Sequence, residues 1–276
     1  MNTGKNNHGF AHSFINLAQA RLGARALYAS DDFFAPCERM LQASEAVFIP
    51  GKYDSNGKWM DGWESRRKRG PGHDFCVVRL AFAGVLHGVD IDTSHFIGNH
   101  PPSASLEACY SPKADPDDST DWIEVLPATA LQADSHHLCT VDDNSVYSHV
   151  RLNIYPDGGI ARLRVYGQVV CDWSKRDAEA PSDLAAVANG GRALACSQAG
   201  FGSSMHNLNL PGRGVDMGDG WETPRRRGPG HDWVILELGC VGKLTHLEID
   251  TAHYKGNYPD RVSVQAAHLS DDDTDT

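Results

Sequence analysis

DGWESRRKRGPGHDF, at residues 61–75, returns as DGWETPRRRGPGHDW at residues 219–233. The two stretches lie 158 residues apart, the alignment continues without a gap for 48 positions, and 23 of those positions are identical. A weaker match lies upstream, where residues 23–30 resemble residues 190–197. Because this period is too long for a solenoid or a propeller blade, the chain is predicted to contain two homologous domains.

The two copies differ in length. The first is predicted to span residues 14–167, a linker residues 168–183, and the second copy residues 184–276. The first copy ends in VRLNIYPDGGIARLRVYG, residues 150–167, whose alternating apolar residues flank a turn and predict a β-hairpin. Residue 266 is followed only by ten residues that end in the acidic run SDDDTDT. The second domain is therefore predicted to lack its last strands and to expose a sheet edge.

Short apolar runs separated by Gly and Pro predict strands in both copies. They are Phe75–Leu80 and Leu86–Asp92 in the first copy, and Trp233–Leu238 and Leu244–Asp250 in the second. Helical patterns are scarce. The predicted fold class is all-β, with a sandwich or jelly roll in each copy.

Composition indicates which classes of partner and which cellular compartment to expect. The chain has 276 residues and a net charge of −11, so nucleic acid is not an expected partner. No apolar run is long enough to span a membrane, and the polar N-terminus lacks a secretory pattern. The seven cysteines are widely spaced and odd in number, which indicates reduced thiols and a cytoplasmic protein.

Both copies carry the same polar residues beside a Gly-Pro-Gly turn. The acid–base candidates are Glu64, His73, Asp74 and His95, with Glu222, His231, Asp232 and His253 in the second copy. The candidates for binding an anionic substrate are Arg67, Arg69 and Asn99, with Arg225, Arg227 and Asn257 in the second copy.

Two other interpretations of these residues stay open. The polar set could serve as solvated loop charges and turn caps. His73, Asp74 and His95 could also bind a divalent metal, although no cofactor is expected. The adjacent pair His136-His137 is predicted to lie in a loop.

The motifs DGWE-x-x-R-(K/R)-RGPGHD, IDT-x-H-(F/Y)-x-GN and VRLNIYPDGG-x-x-RLR-x-(Y/W)G resemble those of the allantoicase (allantoate amidinohydrolase) family over residues 14–266. The resemblance implies two tandem jelly-roll domains similar to galactose-binding sandwiches. It also implies a hydrolase that converts allantoate to (S)-ureidoglycolate and urea in allantoin and purine breakdown. The chain departs from the family pattern where a second VRLNIYPDGG segment is expected.

On this hypothesis the histidines of each copy act as acid and base, and the glutamates and aspartates orient them or the attacking water. Arg69 and Arg227 would hold the substrate carboxylate, while Asn99 and Asn257 would contact a ureido oxygen. The alternatives are a non-catalytic ligand- or carbohydrate-binding sandwich and an inactive, truncated paralogue. A second subunit could cover the exposed edge, which would make the protein a homo-oligomer.

Overall fold

The structure is a computed structural model that describes residues 9–177, 179–200 and 203–269. Residues 1–8 and the acidic run 270–276 lie outside the described residues. The chain divides into two compact units, Met1–Cys171 and Asp172–Thr276. Across the described residues, no helix is both long enough and apolar enough to cross a membrane.

The first unit is built almost entirely from strands. Within residues 9–171, one α-helix, α1, spans Phe10–Ser13, and 3₁₀ helices span Ala20–Leu22 and Cys37–Leu41. Its strands are β1 (Ile15–Asn16), β2 (Arg25–Ala29), β3 (Tyr53–Asp54), β4 (Gly57–Lys58), β5 (Trp63–Glu64), β6 (Asp74–Asp92), β7 (Ser103–Cys109), β8 (Ile123–Ala130), β9 (His136–Thr140), β10 (Val146–Tyr155), β11 (Gly159–Ile160) and β12 (Arg162–Val169).

A single long strand, β6, organises this unit. The two runs predicted at Phe75–Leu80 and Leu86–Asp92 join into these 19 residues. The first part of β6 lies between β2 and β10, and the last part lies between β9 and β12, all antiparallel. Strands β7 and β8 extend the sheet beyond β10. One strand thus contributes to both layers of the sandwich.

The predicted hairpin at residues 150–167 is wrong. Strand β10 pairs with the first part of β6 and with β7, whereas β12 pairs with the last part of β6. Between them the chain turns at residues 156–159 and forms β11, which pairs with β5. The alternating pattern and the turn signal were both present, but each flanking strand finds its longer partner in β6.

The core lies between the layers. Val150, Leu152 and Ile154 on β10 are fully buried, as are Leu106 on β7 and Val165 on β12. The polar residues that alternate with them on β10 face the other side of the sheet. The alternation therefore buries one face in the core and leaves a polar face.

The second unit contains less regular structure. Its strands are β13 (Arg192–Cys196) and β14 (Val234–Glu237), which pair with each other, and its 3₁₀ helices are Trp173–Lys175, Val187–Asn189, Met205–Asn209 and Met217–Asp219.

The strand predicted at Leu244–Asp250 is wrong, because the structure contains no strand there. Leu247 and Ile249 are 64% and 54% exposed, whereas their counterparts Val89 and Ile91 are fully buried. In the first unit those counterparts pair with β12 and β9, and the described part of the second unit contains no equivalent strands.

The turn between β10 and β11 allows no side chain at two positions. Gly158 has a φ of +144°, and a Cβ there would lie 2.6 Å from the backbone nitrogen of Pro101. A Cβ on Gly159 would overlap the ring of Phe96, which is fully buried. Glycine is therefore required where the turn packs against the chain before β7.

We expect Gly159→Ala to destabilise the first unit by about 1–3 kcal/mol, because the new methyl group over-packs the Phe96 site. Thermal and urea denaturation would measure the change. The matched control is Gly70→Ala, whose Cβ would meet no atom within 4 Å and should change stability by less than about 0.5 kcal/mol. Equal stability of the two variants would contradict the close packing.

Candidate functional site

The loop that carries most of the predicted site residues is fixed by the turn at residues 156–159. Glu64 pairs with Gly159 across β5 and β11, and the Ser65 nitrogen donates to the Gly158 carbonyl at 3.1 Å. Further along, the Lys68 nitrogen donates to an Asp157 carboxylate oxygen at 2.8 Å, and the Asp74 nitrogen donates to the Pro156 carbonyl at 3.0 Å. The segment from Glu64 to Asp74, named here the basic loop, follows this turn along its length.

Glu64 is partly buried and hydrogen-bonded. The Asn99 side chain donates from Nδ2 to Glu64 Oε1 at 2.7 Å, and the Asn99 carbonyl accepts from the Gly159 nitrogen at 2.7 Å. Burial raises the pKa of Glu64 above its ordinary value, and the bond from Asn99 opposes the shift. The pair combines a carboxyl that takes up a proton more readily than usual with an amide that retains one free N–H.

The same pair occurs in the second repeat. Asn257 Nδ2 donates to Glu222 Oε1 at 2.7 Å, the distance found for Asn99 and Glu64. Two repeats that share only part of their sequence thus place the same carboxylate and amide in contact. The structure brings these four predicted residues together in pairs.

Asp74 and Asp232 are ion-paired carboxylates. Asp74 is buried and contacts Lys68 Nζ at 2.8 Å and Ser30 Oγ at 2.9 Å. Asp232 contacts Arg226 Nη2 at 2.5 Å and Ser197 Oγ at 3.0 Å. The hydrogen bond from Arg226 lowers the pKa of Asp232 to about 2. A carboxylate held in this state is suited to orienting its neighbours and poorly suited to donating a proton.

The paired histidines differ between the repeats at one position and agree at the other. His73 is exposed, contacts Asn153 Oδ1 through Nε2 at 3.3 Å, and packs against the Tyr155 ring with the centroids 4.7 Å apart. His231 is also exposed, and none of the described residues forms a hydrogen bond with it.

His95 and His253 share an unusual backbone and the same type of contact. Their φ angles are 69° and 71°, and in each the ring Nε2 lies against a backbone carbonyl, at 3.1 Å for Ala46 and 2.8 Å for Gly214. A carbonyl only accepts, so Nε2 carries the proton in both rings. Each ring therefore ties one loop to another and leaves Nδ1 for other contacts.

The four predicted anion-binding arginines are exposed, and none forms an ion pair within the described part of the chain. They are Arg67, Arg69, Arg225 and Arg227. Their neighbours Lys68 and Arg226 are the ones that form ion pairs with the buried Asp74 and the half-buried Asp232. The unpaired guanidinium groups remain available for a carboxylate ligand.

The structure does not join all the predicted residues in one cluster. Within the described residues, no hydrogen bond links His73 or His95 to Glu64, and the roles assigned to the fourteen site residues stay predictions. An open cleft of about 440 Å³ lies on the polar face of the sheet and is lined by Tyr28, Phe75, Glu107, Asp117, Asp118, Thr120, Asp121, Trp122 and Arg151.

Sequence reasoning missed the polar residues of β7 and β10. Arg151 Nε and Asn153 Nδ2 each donate to Glu107 Oε2 at 2.7 Å. Burial alone would raise the pKa of Glu107, but these two hydrogen bonds hold it below its ordinary value. The signal was present in VRLNIY, where the polar residues Arg151 and Asn153 alternate with the apolar ones and so share a face.

A cluster that could hold a cation lies at the other end of β6. Ligand atoms of Glu45, Asp92 and His136 lie within 4.8 Å of one another. Arg164 contacts Glu45 at 3.0 Å and Asp92 at 3.6 Å, so a guanidinium already neutralises these carboxylates. His73, Asp74 and His95, the residues of the alternative metal-binding interpretation, form no such group within the residues described.

His136 lies on a strand, and its prediction as a loop residue is wrong. It belongs to β9 opposite Asp92, and its Nδ1 lies 2.8 Å from Asp90 Oδ2. Burial opposes protonation, but the bond and the charge of Asp90 raise the pKa of His136 above its ordinary value of 6.5. The contact favours the imidazolium form.

This contact predicts a pH dependence of stability. Because the pKa is raised in the folded state, His136 stabilises the protein below about pH 6.5, and the contribution is lost as pH rises through the folded pKa. We expect His136→Asn to lose less unfolding free energy between about pH 6 and pH 8 than the parent chain. Urea denaturation at both pH values measures it, and identical pH dependence in the two proteins would contradict the ion pair.

The sequence of this chain matches one family of known proteins. The family profile described as "Allantoicase repeat" matches residues 15–170 and 182–276. The chain is similar to "Probable allantoicase 1" of Burkholderia mallei, with 60% identity over 94% of this chain and 77% of the relative. It is also similar to "Probable allantoicase" of Photobacterium profundum, with 57% identity over 95% of this chain and 80% of the relative.

Two solved structures of allantoicase are similar in fold to this chain. The crystal structure of allantoicase from Saccharomyces cerevisiae has a TM-score of 0.69 and 36% identity, covering 82% of this chain and 68% of that one. The structure titled "Structure of allantoicase" matches with the same TM-score and 35% identity, over the same shares of the two chains. The predicted all-β class with two homologous repeats is confirmed, and the resemblance seen in the sequence motifs is confirmed with it. The chain belongs to the allantoicase family.

Proposed function

We propose that this chain hydrolyses allantoate to (S)-ureidoglycolate and urea, in the breakdown of allantoin and purines. The observation that carries the proposal is the Glu–Asn pair, which an allantoicase-family chain repeats at the same 2.7 Å in both of its repeats. A carboxyl with a raised pKa beside an amide donor suits a substrate that carries two ureido groups.

The reaction needs one proton acceptor and one proton donor. Water attacks the central carbon of allantoate, a new C–O bond forms, and the bond from that carbon to one ureido nitrogen breaks. The base takes a proton from the water, and the departing nitrogen receives a proton to become urea. The hydroxyl stays on the carbon of ureidoglycolate, so atoms and charge balance.

Residues around the basic loop are suited to these steps. Glu64, whose pKa is raised by burial, donates the proton to the departing nitrogen. The second N–H of Asn99 Nδ2 binds a ureido oxygen, since the first is given to Glu64. His73 accepts the proton from water, and Arg67 and Arg69 bind the substrate carboxylate.

Asp74 and His95 hold these groups in position in the first repeat. Asp74 anchors the basic loop through Lys68, and His95 ties the chain before Asn99 to Ala46. The second repeat keeps the corresponding contacts at four residues: Glu222, Asp232, His253 and Asn257. Its other three predicted site residues are exposed: His231, Arg225 and Arg227.

The aromatic cleft favours the alternative function, a carbohydrate-binding sandwich. Tyr28, Phe75 and Trp122 line it, and aromatic faces of this kind bind sugars. Four carboxylates also line it, against the single guanidinium of Arg151. An anion such as allantoate is therefore better placed at the unpaired arginines of the basic loop than in this cleft.

The proposal includes no metal cofactor, no nucleic-acid partner and no membrane partner. It places the protein in the cytoplasm, which the odd number and wide spacing of the seven cysteines support, because that pattern is typical of reduced thiols. A second subunit that covers exposed apolar residues such as Leu247 and Ile249 is part of the same proposal.

We expect the chain to release urea from allantoate, with an activity that changes by less than about twofold when a chelator is added. Glu64→Gln should lower kcat by about 10²–10⁴-fold, because general acid catalysis contributes that much. The matched variant Glu222→Gln should cost less, since the Glu222–Asn257 hydrogen bond is exposed whereas the Glu64–Asn99 bond is partly buried. Urea is measured enzymatically.

Two outcomes would count against this proposal. Binding to a glycan panel without urea release would favour the carbohydrate-binding alternative. A larger loss in Glu222→Gln than in Glu64→Gln would move the working site to the second repeat.

A further inference from the structure

The side chain of Asn153 has a single orientation in which all its hydrogen bonds are satisfied. It is 3% exposed, and its Nδ2 donates to Glu107 Oε2 at 2.7 Å and to Ser105 Oγ at 3.2 Å. A carboxylate accepts hydrogen bonds and donates none, so the amide nitrogen must face Glu107. The amide oxygen is then the atom that faces His73.

Glu107 stays a carboxylate at neutral pH. Arg151 Nε donates to its Oε2 at 2.7 Å, and the guanidinium of Arg151 in turn packs over the ring of Trp122, with its carbon 4.8 Å from the ring centroid. Burial alone would favour protonation, but the bonds from Arg151 and Asn153 keep the pKa of Glu107 low. The carboxylate therefore fixes the orientation of the Asn153 amide at neutral pH.

The amide oxygen determines which nitrogen of His73 carries the proton. An amide oxygen only accepts, so the contact at 3.3 Å requires a proton on His73 Nε2. In the neutral ring Nδ1 then holds a lone pair. The Tyr155 ring packs against His73 and restricts its rotation, and Tyr155 Oη shares a hydrogen bond of 2.8 Å with Ser105.

We infer that Asn153 is a positioning residue that keeps the proton of His73 on Nε2, so that Nδ1 is the atom that accepts a proton from water. The assignment of Nδ1 to hydrolysis rests on the proposed function, whereas the fixed tautomer does not. The described second repeat has no residue that plays the part of Asn153, and His231 has no hydrogen bond within the described chain.

The tautomer can be observed without any activity measurement. In the full-length ¹⁵N-labelled protein at about pH 8.5, about two units above the ordinary histidine pKa, two-bond ¹H–¹⁵N correlations distinguish the protonated from the unprotonated ring nitrogen. His73→Gln identifies the signals. We expect a single His73 form with the proton on Nε2. A proton on Nδ1, or a mixture of both forms, in the parent protein overturns the inference.

Variants test the two contacts that link Glu107 to Asn153 and Asn153 to His73. Asn153→Leu removes both amide groups at similar volume, and should mix the two forms of His73. It should also lower kcat at least about tenfold with KM changed less than about threefold, because a general base contributes roughly 10²–10⁴-fold. Glu107→Gln lets the amide reverse and should also mix the forms. Thermal denaturation shows that each variant is folded.

Ser105→Ala is the matched control. It removes the weaker hydrogen bond of Asn153 and the hydrogen bond of Tyr155 Oη, but it leaves the bond to Glu107 that orients the amide, so the proton should stay on His73 Nε2. An unchanged ring spectrum in a folded Asn153→Leu variant overturns the inference. A fixed tautomer without urea release contradicts the proposed function alone, and urea release with a mixed tautomer contradicts this inference alone.

Discussion

The backbone contacts between the turn at residues 156–159 and the basic loop are the constraint on which the first repeat depends. Four successive positions of that turn each hold one point of the loop, from Glu64 to Asp74. A loop with four cationic side chains in sequence would otherwise repel itself and sample many conformations. The turn removes that freedom before any ligand arrives, which is the form of preorganisation that acid–base sites need.

The two repeats show which contacts survive without that turn. The Glu–Asn pair and the Ser–Asp–cation cluster persist in the second repeat, because all their members lie within the two stretches of sequence that the repeats share. The contacts of His73 do not, because Asn153 and Tyr155 come from a strand that the described second repeat lacks. Within the described residues, the contacts of the Glu–Asn pair and of His95 therefore have counterparts in the second repeat, whereas the contacts of His73 have none at His231.

Much of the fold could be predicted from the sequence, because the duplication and the alternation of apolar residues are local patterns. The failures concern partners in space. The turn at Pro156 predicted a hairpin, yet β10 and β12 pair with β6, which offers each of them a longer ladder. Asn153 and Glu107 are 46 residues apart, and only the pairing of β10 with β7 shows that they touch. Residue type alone was enough to identify Glu64 and Asn99 as candidate site residues. It could not show that Asn153 and Glu107 form hydrogen bonds that lead to His73.

The length of β6 has a mechanical consequence. One strand contributes hydrogen bonds to both layers of the first repeat, so neither layer can peel away while the other keeps its ladder intact. Thermal fluctuations of this unit should accordingly be confined to its loops or else engage the whole sandwich together. The sheet of the first repeat should therefore behave as one cooperative block even where its loops move.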